Sequence, residues 1–253
     1  MPINELHPVM NAPKENITLW RYMDIPSFFS MVSDEALAFV RADLMEDKYE
    51  GTFPQITAQF LDSQAAIMIK TGQLREQYRE FSKILCSEKE TAYLNCWCKE
   101  QNEMVHMWKI YSKENGIALQ TTYNEIKESI MDDEDIYPTE IQYIDFKKDF
   151  IDWKSNGLTV YTIKRIEYKS ENEFRLIICF PKEIQKKYSQ VSSVVTRKQF
   201  YQEFPVVKCK VDIKKLIKNI HLSPFAPKWY EELIRNTLNK MGYNGFTIHT
   251  SIL

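Results

Sequence analysis

Glu171, Glu173 and Arg175 stand two residues apart at the head of an apolar run, Phe174, Leu176, Ile177, Ile178, Cys179 and Phe180. That run has the composition of a strand buried on both faces. Alternate residues of a strand share a face. If the extended chain reaches back to residue 171, two carboxylates and a guanidinium line one side of it. Such groups are costly to desolvate unless they are paired or used. The plain reading is a Glu–Arg ion pair at a strand end. The chemical reading is a site where a carboxylate meets a developing positive charge or holds a metal. Four more polar positions join this set: Arg21, Asp47, Glu50 and Lys164. Tyr22, Trp97 and Trp108 supply rings that could stack on a planar ligand. The expectation is that Arg21, Glu173 and Asp47 or Glu50 line one cleft, and that Glu171 or Glu173 meets Arg175 or Arg21.

Several other chemistries lack their residues. Cys96-Trp-Cys98 has no second cysteine pair and no histidine cluster beside it, so no zinc site is expected. The acidic loop around Asp43, Glu46, Asp47 and Glu50 does not have the spacing of a calcium loop. Neither phosphate-binding glycine motif occurs, and the chain has only six glycines. The four histidines, His7, His106, His221 and His249, lie outside any G-x-S-x-G context.

The elements that must position these residues follow from pattern. Ile17–Tyr22 reads as a strand, and Asp24 and Pro26 then open a helix with Phe28, Phe29, Met31 and Val32 on one side. Ala36–Val40 and Ala92–Cys98 read as strands. Residues 55–70 and 73–86 read as two helices broken at Thr71-Gly72, the second with Leu74, Tyr78, Phe81 and Leu85 at helical spacing. Met104–Tyr111 is expected to be a helix with Met104, Met107, Trp108 and Tyr111 as its packing face and Gly116 beyond its end. Strands are expected at 117–122, 141–146, 206–211, 220–222 and 246–249. Helices are expected at 123–131 and 213–218, with a last one from Pro227 to Gly242. Residues 147–167 carry no clear pattern, and 181–204 read as a polar excursion. Strands and helices mix without a regular βαβ repeat. The fold class expected is α+β: a single domain, 1–253, with a mainly antiparallel twisted sheet flanked by helices.

Apolar residues make up 44% of the 253-residue chain, enough for a sizeable core. No leader-like segment precedes five cysteines, an odd number, and no apolar run approaches membrane-spanning length. A cytoplasmic protein with free thiols and no membrane partner is expected. The net charge of −2 hides an asymmetry. Residues 1–150 hold 15 Lys+Arg against 26 Asp+Glu, a net of −11, and residues 151–253 hold 18 against 9, a net of +9. The basic part is a candidate nucleic-acid face. Alternatively, the two parts pair with each other.

An ordered set of short stretches resembles a known family. It comprises Leu19-Trp-Arg-Tyr22, Asp47-x-x-Glu50-Gly51, Asn95-Cys-Trp97, Met107-Trp-x-x-Tyr111, Gly116-Ile-Ala-Leu-Gln-Thr, Lys164-Arg165, Glu171-x-Glu173-x-Arg175 and Ser223-Pro-x-Ala-Pro-x-Trp229. The set resembles the bacterial family catalogued as domain of unknown function twenty-nine seventy-one, over nearly the whole chain. Lys48 departs from a common proline and Cys98 from a usual His or Ser. The resemblance implies a bacterial source and fits a defence effector, but implies no reaction.

Three functions remain open on the residues. An NAD-dependent ADP-ribosyltransferase-like enzyme would use Glu173, with Glu171, against an oxocarbenium-like cation and Arg21 on pyrophosphate; Tyr22, Trp97 or Trp108 would stack on nicotinamide. This order of Arg, middle strand and Glu-x-Glu is similar to that of mono-ADP-ribosyltransferases, although Cys96-Trp-Cys98 replaces their Ser-x-Ser. A metal-dependent nuclease or phosphodiesterase would hold Mg²⁺ on Asp47, Glu50, Glu171 and Glu173, with Lys164 or Arg175 on phosphate. The third function is a non-catalytic binding or sensor module.

Overall fold

Ala92–Lys99 (β3) is the strand on which the sheet is assembled. In the structure, a computed structural model describing residues 2–70, 89–112, 115–152, 156–191, 196–251 and 253, one whole edge of β3 pairs with Glu173–Cys179 (β8), from Ala92↔Cys179 to Cys98↔Glu173. Its other edge is shared. Thr18–Met23 (β1) pairs with one end, at Leu19↔Lys99 and Trp20↔Cys98. Ala36–Arg41 (β2) pairs with the other, at Val40↔Leu94 and Arg41↔Tyr93. Between these contacts β1 and β2 diverge, and the sheet forks. Ile117–Thr122 (β4), Asn219–Leu222 (β10) and Thr247–Thr250 (β11) extend it beyond β1; Val206–Lys210 (β9) extends it beyond β2. Ile136–Glu140 (β5) closes the far side of β8. Among the described residues nine strands take part in this sheet, and only β10 and β11 run parallel in it. Gln142–Ile144 (β6) and Ile163–Arg165 (β7) form a separate parallel pair. The α+β architecture is the one expected.

The largest core lies on the sheet face that carries Leu19, Tyr93, Trp97, Phe174, Leu176 and Ile178. The helix Ile25–Asp34 (α1) covers it with Phe28, Met31 and Val32. Asp24 caps α1, accepting from the Ser27 backbone N–H at 2.8 Å, and Pro26 sits in the first turn where its missing N–H costs nothing. The helix Tyr230–Lys240, the crossover between β10 and β11, adds Tyr230, Ile234 and Leu238. Every residue of β8 from Phe174 to Ile178 is fully buried, because β3 and β5 flank it and both faces are covered. Each apolar side chain buried there is worth about 1.5–3 kcal/mol.

The opposite face carries two smaller clusters. One is Trp20, Tyr22, Cys98, Met107, Trp108 and Ala118; the other contains Ala42, Leu94, Val160, Tyr161 and Ile177. The helix Gln55–Lys70 (α2) lies where the first of two helices was expected. The second, over 73–86 with Leu74, Tyr78, Phe81 and Leu85, falls outside the described residues.

Four expectations change. The extended chain does not reach back to residue 171: Ile166–Glu171 is a 3₁₀ helix, and Asn172 turns the chain in the left-handed region at φ 39° before β8 begins at Glu173. The helix expected over 104–111 is one turn, Val105–Met107, running into a π-helical turn, Trp108–Ser112. β5 was not anticipated, because Pro138 interrupts it; a proline is tolerated there because β5 lies beyond β8 at the rim of the sheet. The polar excursion contains two short helices, Lys182–Tyr188 and Arg197–Tyr201.

Cys96, Cys98, Cys179 and Cys209 are unpaired, and no helix among the described residues is long and apolar enough to cross a membrane.

Candidate functional site

The fork leaves residues 95–97 of β3 without a backbone partner on one edge, and side chains bridge the gap. The Asn95 amide donates to the Ala38 carbonyl at 2.9 Å, and its oxygen accepts from the Trp97 indole at 2.6 Å. A half-open cleft of about 200 Å³ begins at this gap. Its walls are mostly aromatic and sulfur-bearing: Trp20, Tyr22, Trp97, Tyr111, Met45 and Met107. Cys96 and Cys98 line it from β3, and Arg21, Lys164, Glu171 and Glu173 supply its charges.

Arg21 alternates to the other side of β1 from Trp20 and Tyr22, but it lines the same cleft because β1 has left β3 at that point. Its guanidinium lies 5.7 Å from the centre of the Trp97 ring and reaches a carbonyl, that of Ala38, only at 3.5 Å. It makes no ion pair among the described residues. Burial pushes the guanidinium down to about 10, since desolvation disfavours its charge.

Across the cleft the charges are tightly coupled. Lys164 Nζ donates to Glu171 Oε2 at 2.5 Å and to Glu173 Oε2 at 2.9 Å. Arg175 donates through Nε to Glu173 Oε1 at 2.7 Å and grips Glu50 with both terminal nitrogens, at 2.7 and 3.0 Å. Tyr111 O–H donates to the remaining oxygen of Glu171 at 3.0 Å. Burial alone would raise the Glu173 carboxyl, but Arg175 and Lys164 hold it well below the usual carboxylate range. Burial alone would lower the Lys164 ammonium, but Glu173 and Glu171 hold it above its ordinary value. The Tyr111 phenol is raised, by burial first and then by Glu171. Burial pushes the Cys98 thiol up to about 12 and the Cys96 thiol further, so both stay protonated.

Local structure explains how these side chains meet. Glu171 and Glu173 reach one ammonium because of the left-handed turn at Asn172, not because they share a strand face. The Asn172 side chain locks that turn, donating to the Lys99 carbonyl at 2.5 Å and to Glu100 Oε1 at 3.0 Å. The π-helical turn brings the Tyr111 hydroxyl to Glu171, while His106 Nε2 lies 3.0 Å from the Ser170 carbonyl.

Of the residues singled out in the sequence, Arg21, Tyr22, Trp97, Lys164, Glu171 and Glu173 meet at the cleft. Glu173 also contacts Arg175, as expected. Asp47 and Glu50 do not line the cleft, because both are consumed behind it: Asp47 pairs with Arg165 at 2.9 Å and Glu50 with Arg175. Gly51 completes that loop at φ +66°, and a Cβ there would stand 2.7 Å from Tyr161 Cε1. Arg175 is wholly buried beneath the cleft. Trp108 is buried too, donating to Glu103 Oε2 at 3.0 Å and packing edge-on against Tyr22, so it supports the wall without forming it. The residues not anticipated as lining include Trp20, Met45, Cys96, Cys98, Met107 and Tyr111. The Leu-Trp-Arg-Tyr and Met-Trp-x-x-Tyr stretches contained three of them, but helical spacing made Tyr111 look like packing.

Lys164 occupies the point between Glu171 and Glu173 at which a divalent cation would have to sit. No cluster of His, Cys, Asp or Glu among the described residues has the arrangement of a metal site. The four carboxylates of the magnesium reading are therefore held by cations of the chain itself.

Comparison with protein-family models, with curated proteins and with solved structures found no match.

Proposed function

We propose that the chain is a small-molecule binding protein whose ligand enters the cleft at the fork of the sheet and carries a planar ring and an anionic group. The observation behind this reading is Arg21: a half-buried arginine whose guanidinium meets no carboxylate among the described residues and rests against an aromatic wall. An unpaired charge of that kind is costly in a folded protein unless a ligand completes it. An engineered cavity of about 150 Å³ takes up benzene. A cleft of about 200 Å³ therefore has room for one ring and a small substituent, with the rest of a larger ligand projecting outward. Ligand-observed NMR with indole-3-carboxylate, benzoate and nicotinate, each a planar ring bearing an anionic group, should show binding to the wild type. Tyr111→Ala removes a wall that is 41% exposed and should weaken it several-fold with the fold intact. Absence of binding by all three compounds would sink the proposal.

A second reading, an NAD-dependent transferase, draws support from Arg21 and an ionised Glu173 lining one cleft. The cleft has room for the nicotinamide end of NAD, Arg21 would hold the pyrophosphate, and Glu173 would face the cation that forms as the nicotinamide–ribose bond breaks. This reading expects nicotinamide release from NAD by the wild type, with or without cell lysate as acceptor. No release under either condition removes it.

A further inference from the structure

The cleft is electrically dipolar. On one wall stands Arg21, a cation with no ion pair among the described residues. On the other wall the buried cluster contains three carboxylates, Glu50, Glu171 and Glu173, against two cations, Lys164 and Arg175, an excess of one negative charge. Arg21 and the two carboxylates lining the cleft border the same cavity but do not come within 4.0 Å of one another. Flexible side chains of opposite charge across so small a space would ordinarily close on each other. Here each is restrained: Arg21 lies against Trp97, and both carboxylates are fixed by Lys164.

A ligand that satisfies one pole alone leaves the other without a partner beside an aromatic wall. A ligand with an anionic and a cationic group at opposite ends of a short frame satisfies both. The two oxygens of Glu171 each accept one hydrogen bond and retain a lone pair, so an ammonium can be accepted there without displacing Lys164, while Glu173, which the Cys96 thiol also approaches, adds its charge. The rings of Trp20, Tyr22, Trp97 and Tyr111 lie among these poles.

We infer that the cleft selects zwitterions built on a single aromatic ring, the class of the aromatic α-amino acids. The ligand carboxylate lies on Arg21, its ammonium on Glu171 and Glu173, and its ring within the aromatic walls. This inference rests on the small-ligand reading proposed above.

Titration calorimetry of the intact protein tests it with four probes: L-phenylalanine, phenethylamine, 3-phenylpropionate and neutral benzamide. L-phenylalanine should bind at least about tenfold more tightly than the amine or the acid, the value of one charge-assisted contact. Arg21→Met should lower the affinity for L-phenylalanine to that for phenethylamine and leave the amine unchanged. Arg21 has no ion pair among the described residues, so this variant strands no partner charge there and should fold. Glu171→Gln should lower the affinity for L-phenylalanine toward that for 3-phenylpropionate. If Glu171→Gln does not fold, the wild-type probe series and Arg21→Met decide alone. Equal binding of all charged probes, or tighter binding of either half-ligand, would overturn the dipolar inference while benzamide binding kept the cleft reading. Failure of all four probes would overturn both.

Discussion

Oε1 of Glu173 accepts from Arg175 and Oε2 from Lys164, in a residue that is 4% exposed. Glu173 is therefore first a structural charge, and any chemistry it performs must leave that scaffold intact. Glu173→Gln keeps the shape but leaves Arg175 and Lys164 short of one negative charge in the interior. Breaking a buried pair from one side costs about 3–5 kcal/mol, so the variant should show a markedly lower thermal midpoint. The pH dependence has a definite sign. The carboxyl falls from its ordinary value of 4.5 toward about 2 on folding, so the unfolded chain binds the proton more readily. The stability it contributes is fully present above pH 4.5 and is lost as the pH falls through that window. Denaturant titrations of the wild type and Glu173→Gln should therefore converge as the solution is acidified from pH 6 toward pH 3. A difference that stays constant with pH would mean that Glu173 is not held ionised by its neighbours.

Among elements, the turn between Ile166–Glu171 and β8 decides whether the cleft exists. Asn172 is left-handed at φ 39°, a conformation that costs most L-residues about 1–2 kcal/mol. Its side chain offsets that cost through the bonds to Lys99 and Glu100. Asn172→Gly keeps the backbone freedom and loses the bonds; Asn172→Ala loses both. Thermal midpoints should fall in the order wild type, Gly, Ala, with Ala about 1–3 kcal/mol below wild type. A midpoint for Ala equal to wild type would show that the turn is not strained. This element also marks the limit of what the sequence conveys. β1, β2, β3, β8 and α1 were legible because apolar runs and an Asp–Pro cap are local signals. The Glu173–Arg175 contact was legible because strand alternation is local too. The Glu171–Lys164–Glu173 bridge was not foreseen: its three residues were singled out, but the glutamates were expected to meet Arg175 or Arg21 and Lys164 to meet phosphate, since a left-handed asparagine leaves no periodic trace. The fork was not legible at all. It depends on β1 and β2 competing for one edge of β3, a long-range pairing that no spacing encodes, and Tyr111 and Cys96 become cleft residues only once the fork forms.

At the scale of the whole molecule, the acidic and basic parts are interleaved. β8, β9 and β10, all from the basic part, are hydrogen-bonded to β3, β2 and β4 of the acidic part. The charges interlock in the same sense. Lys198 pairs with Glu90, Lys208 with Asp34, Lys218 with Glu125, Arg165 with Asp47 and Arg175 with Glu50. The exposed pairs among these contribute at most about 1 kcal/mol each and are screened by salt, so they add little to stability. Their larger effect is to remove positive charge from the surface. A nucleic-acid face must place several lysines on phosphates at once, and each paired lysine must first leave its carboxylate. Filter binding with single- and double-stranded nucleic acid at about 50 mM salt should therefore show no complex tighter than about 10⁻⁴ M. If a complex instead forms at micromolar concentration and weakens by about a thousandfold or more toward 200 mM salt, six or more phosphate contacts are being made. Lys198, Lys208 and Lys218 would then have to exchange their carboxylates for the ligand, and substituting each with glutamine should reduce the salt slope by about one.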